Sequence, residues 1–188
     1  MKADKEFRVN ILHRRRERTC MLVHGMFASE GFWLPNLDLL RPLRLLIIGL
    51  NYHSPNFNSG RTISNLQKLI GSENVSLIIA HSLGCGIAKS LNIEGRVFNI
   101  CDVTLAKSHD REGFLMALAD KTNLAESKRS DYLAGASQVL KLSNGLRSQN
   151  CETLTPSDDI YFEYPDQPNF IGDHFEIRDA IKKIVSEI

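Results

Sequence analysis

The sequence lacks several features that mark whole classes of proteins. None of its apolar runs approaches the roughly 20 residues that a membrane-spanning helix needs. The N-terminal stretch MKADKEFRVN is charged where a secretory signal peptide has an apolar core. A net charge of +1 provides no global attraction to nucleic acid or to a membrane surface. We therefore expect a single domain over residues 1–188 that binds neither nucleic acid nor membrane.

Cysteine is also scarce, and its spacing excludes the usual metal sites. The four cysteines are scattered, and they show none of the short intervals of a zinc motif: Cys20, Cys85, Cys101 and Cys151. Cys20 and Cys101 lie inside apolar runs, where a free thiol behaves as a small hydrophobic side chain. The sequence therefore predicts a reduced, cytoplasmic protein with no metal and no cofactor.

Short apolar runs alternate with helix-like segments along the chain. The runs predict strands at 7–12, 19–25, 43–50, 75–81, 96–103 and 159–164. The middle runs are apolar on both faces, which is typical of parallel strands covered by helices on both sides. Helices are predicted at 34–40, 61–71, 83–92 and 179–188. This alternation indicates an α/β fold with a mainly parallel sheet of about six strands, the first of them an antiparallel edge.

Residues 104–150 interrupt the alternation because they contain no clear strand. The stretches 112–124 and 130–146 have helical periodicity, with Ser130 as a candidate N-cap. Two consecutive helices between strands predict a helical lid subdomain over the edge of the sheet. The alternative is one long crossover connection.

Ser82 lies where a predicted strand ends and a helix begins. In an open parallel sheet this edge is where ligands bind. A sharp strand-to-helix turn exposes the serine hydroxyl, and it requires small residues two positions before and after it. Ala80 and Gly84 meet that requirement in AHSLG, although the usual pattern has glycine at the first position. The alternative is a serine that caps an ordinary helix.

Two other segments favour a nucleophilic role for Ser82. In LVHGMF, the backbone N–H of Met26 or Phe27 is expected to lie beside that of Leu83, which would form an oxyanion hole. His24 in the same segment is expected to hold the loop rather than to act as a base. In NFIGDHFEI, His174 follows the last predicted strand, and its position downstream of Ser82 suits a general base.

The motifs VHGMF, AHSLGCGIA and GDHFEI resemble those of α/β-hydrolases, over residues 19–188. Within that superfamily the chain resembles the thioesterases of peptide and polyketide synthesis. The resemblance implies an α/β-hydrolase fold, a serine nucleophile with a catalytic triad, and a helical lid inserted after the strand that carries Asp102. It also implies an acyl-enzyme intermediate.

The triad acid is harder to assign. Five acids precede His174 closely, but none follows a predicted strand of its own: Asp158, Asp159, Glu163, Asp166 and Asp173. Asp102 lies near the end of the strand next to that of Ser82, and the resembling thioesterase domains of peptide synthetases carry their acid there. The sequence therefore predicts Ser82, His174 and Asp102 as the catalytic set.

The sequence is compatible with three functions. The first is hydrolysis of an acyl thioester, carried on coenzyme A or presented by an acyl or peptidyl carrier protein. The second is hydrolysis of a carboxylic ester, as in the methyl esterases of biotin precursor synthesis, and the third is a non-catalytic binding protein. Release by cyclisation rather than by water is compatible with the first. Phe114 and Tyr132 on the predicted lid are candidate substrate contacts.

Overall fold

The structure is a computed structural model that describes residues 7–13, 16–26, 28–52, 54–105, 107–108, 134–141 and 151–188. The strands are β1 (Phe7–Leu12), β2 (Thr19–Val23), β3 (Arg44–Leu50), β4 (Val75–His81), β5 (Arg96–Ile100), β6 (Lys107–Ser108), β7 (Cys151–Leu154) and β8 (Phe162–Glu163). The helices are α1 (Ser59–Glu73), α2 (Gly84–Lys89), α3 (134–141) and α4 (Arg178–Ser186), with a 3₁₀ helix at Glu30–Asn36. None of the helices in the described ranges is long and apolar enough to cross a membrane.

Six strands form the main sheet in the order β1-β3-β2-β4-β5-β7. β1 pairs antiparallel with β3, and all other neighbours in this sheet are parallel. β6 and β8 form a separate two-stranded antiparallel pair. The predicted mainly parallel sheet of six strands with an antiparallel edge is therefore confirmed.

Both faces of the sheet are covered, as its apolar strands require. One face packs against α1 and α2, including Leu66 and Ile70 of α1. The other face packs against the 3₁₀ helix and α4, including Trp33 and Ile181. Because side chains alternate along a strand, consecutive strand residues supply the two layers. β2 shows this directly, since all five of its residues are buried.

Two predictions about elements were wrong. The sixth strand of the sheet is β7 at Cys151–Leu154, whereas the predicted strand at 159–164 contributes only the two residues of β8 to the separate pair. CETL is short and half polar, so its hydrophobic pattern gave no strand signal. The helix predicted after Leu34 begins at Glu30 as a 3₁₀ turn with Pro35 inside it. Ser29 caps this turn by accepting a hydrogen bond from the Gly31 N–H.

Only parts of the predicted lid at 104–150 lie among the described residues. The predicted helix at 112–124 lies outside them, and of the one predicted at 130–146 the structure describes α3. α3 lies between the loop after β3 and α2. The Gln138 amide accepts a hydrogen bond from the Ser59 N–H (3.2 Å) and donates one to the Phe57 carbonyl (3.1 Å). α3 also approaches α2 closely, because a Cβ at Gly86 of α2 would lie only 2.8 Å from Val139 Cγ1.

Candidate active site

Ser82 lies on a sharp turn between β4 and α2. Its φ angle is 54°, in the left-handed region that non-glycine residues rarely adopt. The Ser82 N–H donates a hydrogen bond to the Ile100 carbonyl (2.9 Å), which fastens the turn to the end of β5. Strained backbone of this kind is concentrated at functional sites. The strand–turn–helix context expected for Ser82 is thus present, and its strain is more than a helix cap requires.

The neighbouring strand explains why glycine follows Ser82 two positions later. A Cβ at Gly84 would lie 2.6 Å from the His24 carbonyl oxygen and 2.7 Å from that of Val23. A side chain at this position would push α2 away from the end of β2. Gly84 therefore lets the helix that follows the serine start directly against the neighbouring strand.

His174 lies against Ser82, in the loop between β8 and α4. Its Nε2 is 2.9 Å from Ser82 Oγ, and its Nδ1 is 2.8 Å from Asp159 Oδ2. Because an ionised carboxylate only accepts hydrogen bonds, we assign the imidazole proton to Nδ1, which leaves Nε2 as the acceptor for the serine hydroxyl. His174 is only 1% exposed. The predicted contact of His174 with Ser82 is present.

Asp159 is the carboxylate that His174 contacts. Its Oδ1 accepts the backbone N–H groups of Tyr161 (2.9 Å) and Phe162 (3.2 Å), and its Oδ2 accepts the Tyr164 hydroxyl (2.7 Å). Burial raises the pKa of Asp159, but its hydrogen bonds with the His174 ring, the Tyr164 hydroxyl and the Tyr161 N–H outweigh burial. The net pKa lies below its ordinary value. Asp159 is therefore held as a carboxylate beside the imidazole.

Asp102 has a different partner, so the predicted pairing of Asp102 with His174 is wrong. Its carboxylate forms an ion pair with Lys89 of α2 and accepts hydrogen bonds from the backbone N–H (3.0 Å) and hydroxyl (2.6 Å) of Thr104. Asp102 and Lys89 are both buried. The error follows from the missed strand, because β7 ends at Leu154 and gives Asp159 the preceding strand that the sequence had seemed to lack.

The loop after β2 lies directly against Ser82. A Cβ at Gly25 would be 2.6 Å from Ser82 Cβ and 3.2 Å from Ser82 Oγ. His24 holds this loop: its Nδ1 donates to the Gly25 carbonyl (2.6 Å), and its Nε2 accepts the Leu50 N–H (2.8 Å). Burial lowers the pKa of His24, in agreement with the neutral ring that this pattern requires. The predicted structural role of His24 fits these contacts.

Three side chains that the sequence reasoning passed over also belong to the site. Tyr164 donates to Asp159, and its oxygen is 3.3 Å from His174 Nδ1. His81, the last residue of β4, contacts the His174 backbone carbonyl through Nε2 at 2.7 Å. Phe32 stacks on the His81 ring with 4.3 Å between centroids. Only the position of His81 beside Ser82 was visible in the sequence. Phe32 lies far from His81 along the chain. Tyr164 is only five residues from Asp159, but the sequence predicted one continuous strand there rather than a loop that joins the two side chains.

The structure describes two of the five remaining predicted site residues. Leu83 precedes α2 directly, and Met26 follows Gly25 in the loop against Ser82. Phe27, Phe114 and Tyr132 lie outside the described residues.

One trio near the serine has ligand atoms close enough to hold a metal ion. Atoms of Cys101, Asp159 and His174 lie within 4.8 Å of one another. Burial raises the pKa of the Cys101 thiol well above its ordinary value. Asp159 and His174 are already joined by a hydrogen bond. We therefore assign this trio to hydrogen bonding rather than to a metal.

Neither a protein-family model nor a curated protein matches the sequence. The fold is nevertheless similar to solved structures. The NocB thioesterase domain, solved as a covalent complex with a fluorophosphonate nocardicin G analogue, matches with a TM-score of 0.68 at 10% identity, over 94% of this chain and 97% of that chain. The surfactin-cyclising thioesterase domain SrfTE matches with a TM-score of 0.60 at 13% identity, over 95% and 94%.

An enol-lactonase from Burkholderia xenovorans LB400 matches with a TM-score of 0.61 at 13% identity, over 96% of this chain and 95% of that chain. An alpha/beta hydrolase fold protein from Burkholderia ambifaria matches over 96% and 92%, with a TM-score of 0.61 at 14% identity. These likenesses extend over nearly the whole length of both partners. The chain therefore has the α/β-hydrolase fold.

Proposed function

We propose that this protein is a serine hydrolase that acts through Ser82, His174 and Asp159. The observation that carries the proposal is the continuous hydrogen-bond path from Ser82 Oγ through His174 (2.9 Å) to Asp159 (2.8 Å). A serine hydroxyl is a weak nucleophile, and it becomes effective when a base accepts its proton and a third group orients that base. The three side chains form such a relay at the edge of the sheet where ligands bind.

In the acylation step, Ser82 Oγ attacks the carbonyl carbon of the substrate while His174 Nε2 takes the serine proton. The imidazolium so formed is stabilised by the Asp159 carboxylate, which keeps its charge. When the tetrahedral intermediate collapses, the bond to the leaving group breaks and His174 returns the proton to the departing thiolate or alkoxide. The products are an acyl-serine and a free thiol or alcohol.

The developing oxyanion needs donors that are in position before the reaction. We assign this role to the backbone N–H groups of Leu83 and Met26. It is supported by the close approach of Gly25 to Ser82, which brings the loop after β2 beside the start of α2. Two such donors typically contribute several kcal/mol to transition-state stabilisation, and removing one costs about 10²- to 10³-fold in turnover.

In the deacylation step, a water molecule attacks the acyl-serine. His174 takes the proton of this water and then passes it to Ser82 Oγ as the ester bond breaks. A carboxylic acid is released and the enzyme returns to its starting state. An internal nucleophile of the substrate can replace water, and the product is then cyclic.

The first test is replacement of the nucleophile. Ser82→Ala is expected to lower turnover of p-nitrophenyl acetate by roughly 10⁶, as for other triad serines. A fluorophosphonate probe should label the unmodified protein at Ser82, with the adduct located by peptide mass spectrometry. Ser64→Ala, on the exposed face of α1, is the matched control and should keep full activity. An unlabelled native protein would leave only a non-catalytic binding function.

For the substrate, we propose an acyl thioester on coenzyme A or on an acyl or peptidyl carrier protein. The proposal rests on the GDHF segment around His174 and on the similarity in fold to two thioesterase domains. The sequence also favoured a thioesterase by placing the triad acid after β5, but this argument no longer applies because Asp159 follows β7. Phe114 and Tyr132 remain predicted substrate contacts.

A carboxylic ester or lactone is the second candidate, and a specific observation favours it. Residues 157–176, which flank both Asp159 and His174, contain six acidic residues and no lysine or arginine. Asp158, Glu163, Asp166 and Glu176 among them are exposed. Such a segment repels the phosphate groups of a phosphopantetheine arm, whereas a neutral ester is not affected. The fold is also similar to that of an enol-lactonase.

Matched substrates distinguish the two candidates. Hydrolysis of hexanoyl-coenzyme A, of S-hexanoyl-N-acetylcysteamine and of ethyl hexanoate should be compared at low and high salt. A thioesterase for carrier-bound groups should prefer both thioesters in kcat/KM. A preference for the oxygen ester, with a penalty on coenzyme A that high salt relieves, would support the second candidate.

A further inference from the structure

We propose that His81 is a positioning residue that holds the backbone of His174 in place for catalysis. The inference rests on the proposed function, because it concerns the base of the same triad. His81 ends β4 and directly precedes Ser82, and its side chain reaches the loop that carries His174. Its Nε2 is 2.7 Å from the carbonyl oxygen of His174, and the residue is only 2% exposed.

The direction of this hydrogen bond follows from its acceptor. A carbonyl oxygen can only accept, so Nε2 of His81 carries the proton and donates. The other ring nitrogen, Nδ1, is buried and contacts no hydrogen-bond partner in the described part of the chain. A charged ring would bury a second, unpaired N–H there. His81 therefore acts as a neutral, permanent donor, in agreement with the burial that lowers its pKa well below the ordinary value.

Aromatic neighbours fix the His81 ring on two sides. Phe32 of the 3₁₀ helix stacks on it with an interplanar angle of 23°, and the His174 ring meets it edge-on with 5.1 Å between centroids. Stacking and edge-to-face contacts both restrict rotation of the ring. His81 thereby connects three segments: the serine turn, the histidine loop and the helix after the β2 loop.

His174 depends on such an anchor because its own loop is irregular. Gly172, two residues earlier, has a φ angle of 152°, and α4 begins only at Arg178. The Asp173 carboxylate fixes the chain after His174 by accepting the N–H groups of Phe175 (2.6 Å) and Glu176 (2.8 Å). The His81 donor fixes the His174 carbonyl itself. A displacement of about 1 Å at a catalytic base can cost about 10²-fold in rate.

Two substitutions separate the effect of the hydrogen-bond donor from the effect of the aromatic ring. His81→Phe keeps the ring and its stacking on Phe32 but has no donor. His81→Gln places an amide N–H near the position of Nε2. We expect His81→Phe to lower kcat for p-nitrophenyl acetate by about 30- to 100-fold with KM within about 2-fold, because His81 positions the base without touching substrate. His81→Gln should stay within about 5-fold of the native kcat.

A double-mutant cycle tests whether His81 acts through His174. The rate of fluorophosphonate labelling of Ser82 is measured in the native and His174→Ala backgrounds. If His81 works only by positioning His174, His81→Phe changes the residual rate of His174→Ala by less than about 3-fold. Leu66→Ala in α1 is the control for general destabilisation, and it should lower the melting temperature while leaving the labelling rate within about 2-fold.

The outcomes are distinct. An equal loss of kcat in His81→Phe and His81→Gln would overturn the positioning role, and so would an equal loss of labelling rate in the native and His174→Ala backgrounds. In either case, labelling of the native protein at Ser82 would still support the hydrolase proposal. An unlabelled native protein would overturn both. If His81→Phe does not fold, Phe32→Leu replaces it, since this variant keeps the donor but loosens the ring. We expect Phe32→Leu to lower the rate of Ser82 labelling by about 3- to 10-fold in the native background and to leave that rate unchanged in the His174→Ala background.

Discussion

At the scale of single residues, the site contains two aspartates whose side chains are buried in opposite surroundings. Asp159 faces a neutral imidazole and three further donors, so its charge is available to stabilise an imidazolium. The charge of Asp102 is already neutralised by Lys89. An acid in the second situation has little left to offer a histidine. The partner of each carboxylate, rather than its position along the chain, therefore decides which aspartate is available to His174.

A paired substitution tests this assignment. Asp159→Asn should lower kcat by about 10⁴-fold with little change in KM, because the amide no longer fixes the tautomer of His174. Asp102→Asn should keep kcat within about 3-fold but lower the free energy of unfolding by about 3 kcal/mol, because it leaves the buried Lys89 ammonium without a counter-charge. Turnover is measured well below both melting temperatures, and stability by chemical denaturation. A larger loss of kcat in Asp102→Asn than in Asp159→Asn would restore Asp102 as the triad acid.

At the scale of elements, the site depends on how closely backbone segments approach one another. The loop after β2 passes Ser82 at Gly25, and the start of α2 passes β2 at Gly84. Neither position has room for a methyl group. These two contacts align the serine turn with the loop that carries Met26, so glycine is required there by packing rather than by its dihedral angles.

Two glycine-to-alanine substitutions, one at a close backbone approach and one in open space, test the role of close approach. Gly25→Ala places a Cβ against Ser82, so we expect turnover to fall by about 10²-fold or more through displacement of the proposed oxyanion donor at Met26. Gly71→Ala in α1 meets no atom within 4 Å. It should leave turnover unchanged and raise the free energy of unfolding by about 0.5–1 kcal/mol, since alanine is the better helix former. Full activity in Gly25→Ala would remove the argument for a donor loop beside Ser82.

At the scale of the whole molecule, two buried neutral histidines link folding to pH. Burial lowers the pKa of His24 and, more strongly, that of His81 below their ordinary value of 6.5. Below pH 6.5, both histidines therefore become protonated in the unfolded chain while they stay neutral in the folded chain. The free energy of unfolding consequently falls as pH falls from 6.5 toward the native pKa values, and it is insensitive to these two groups above that window.

This linkage is measurable by denaturant titration at pH 7, 6 and 5. Each histidine contributes up to about 1.4 kcal/mol per pH unit. His81→Gln removes one of the two groups. The slope of unfolding free energy against pH should therefore be shallower than in the native protein by up to about 1.4 kcal/mol per pH unit, which corresponds to one proton. Parallel curves for the two proteins would contradict the prediction that His81 is neutral in the folded state.

The sequence alone contained most of the fold and two of the three side chains in the relay. Apolar runs on both faces of the sheet are readable because burial on two sides demands them. Four of the six strands in the main sheet were predicted that way, and half-buried β1 was predicted as the antiparallel edge. Ser82 and His174 were predicted because each belongs to a local motif: a strand–turn–helix for the serine and a glycine-containing loop for the histidine. Local motifs are visible in sequence because they depend on neighbouring residues.

Only the tertiary structure determined which acid meets His174. β7 is a four-residue, half-polar strand whose identity depends on pairing with β5, a non-local contact without a periodic signal. Once β7 is in the sheet, the following loop brings Asp159 to His174, and Lys89 of α2 is left to pair with Asp102. The same applies to His81 and Tyr164, whose partners lie 93 residues and 10 residues away along the chain. The order of residues decides which elements form, whereas the partners of a buried charge are decided by the packing of those elements.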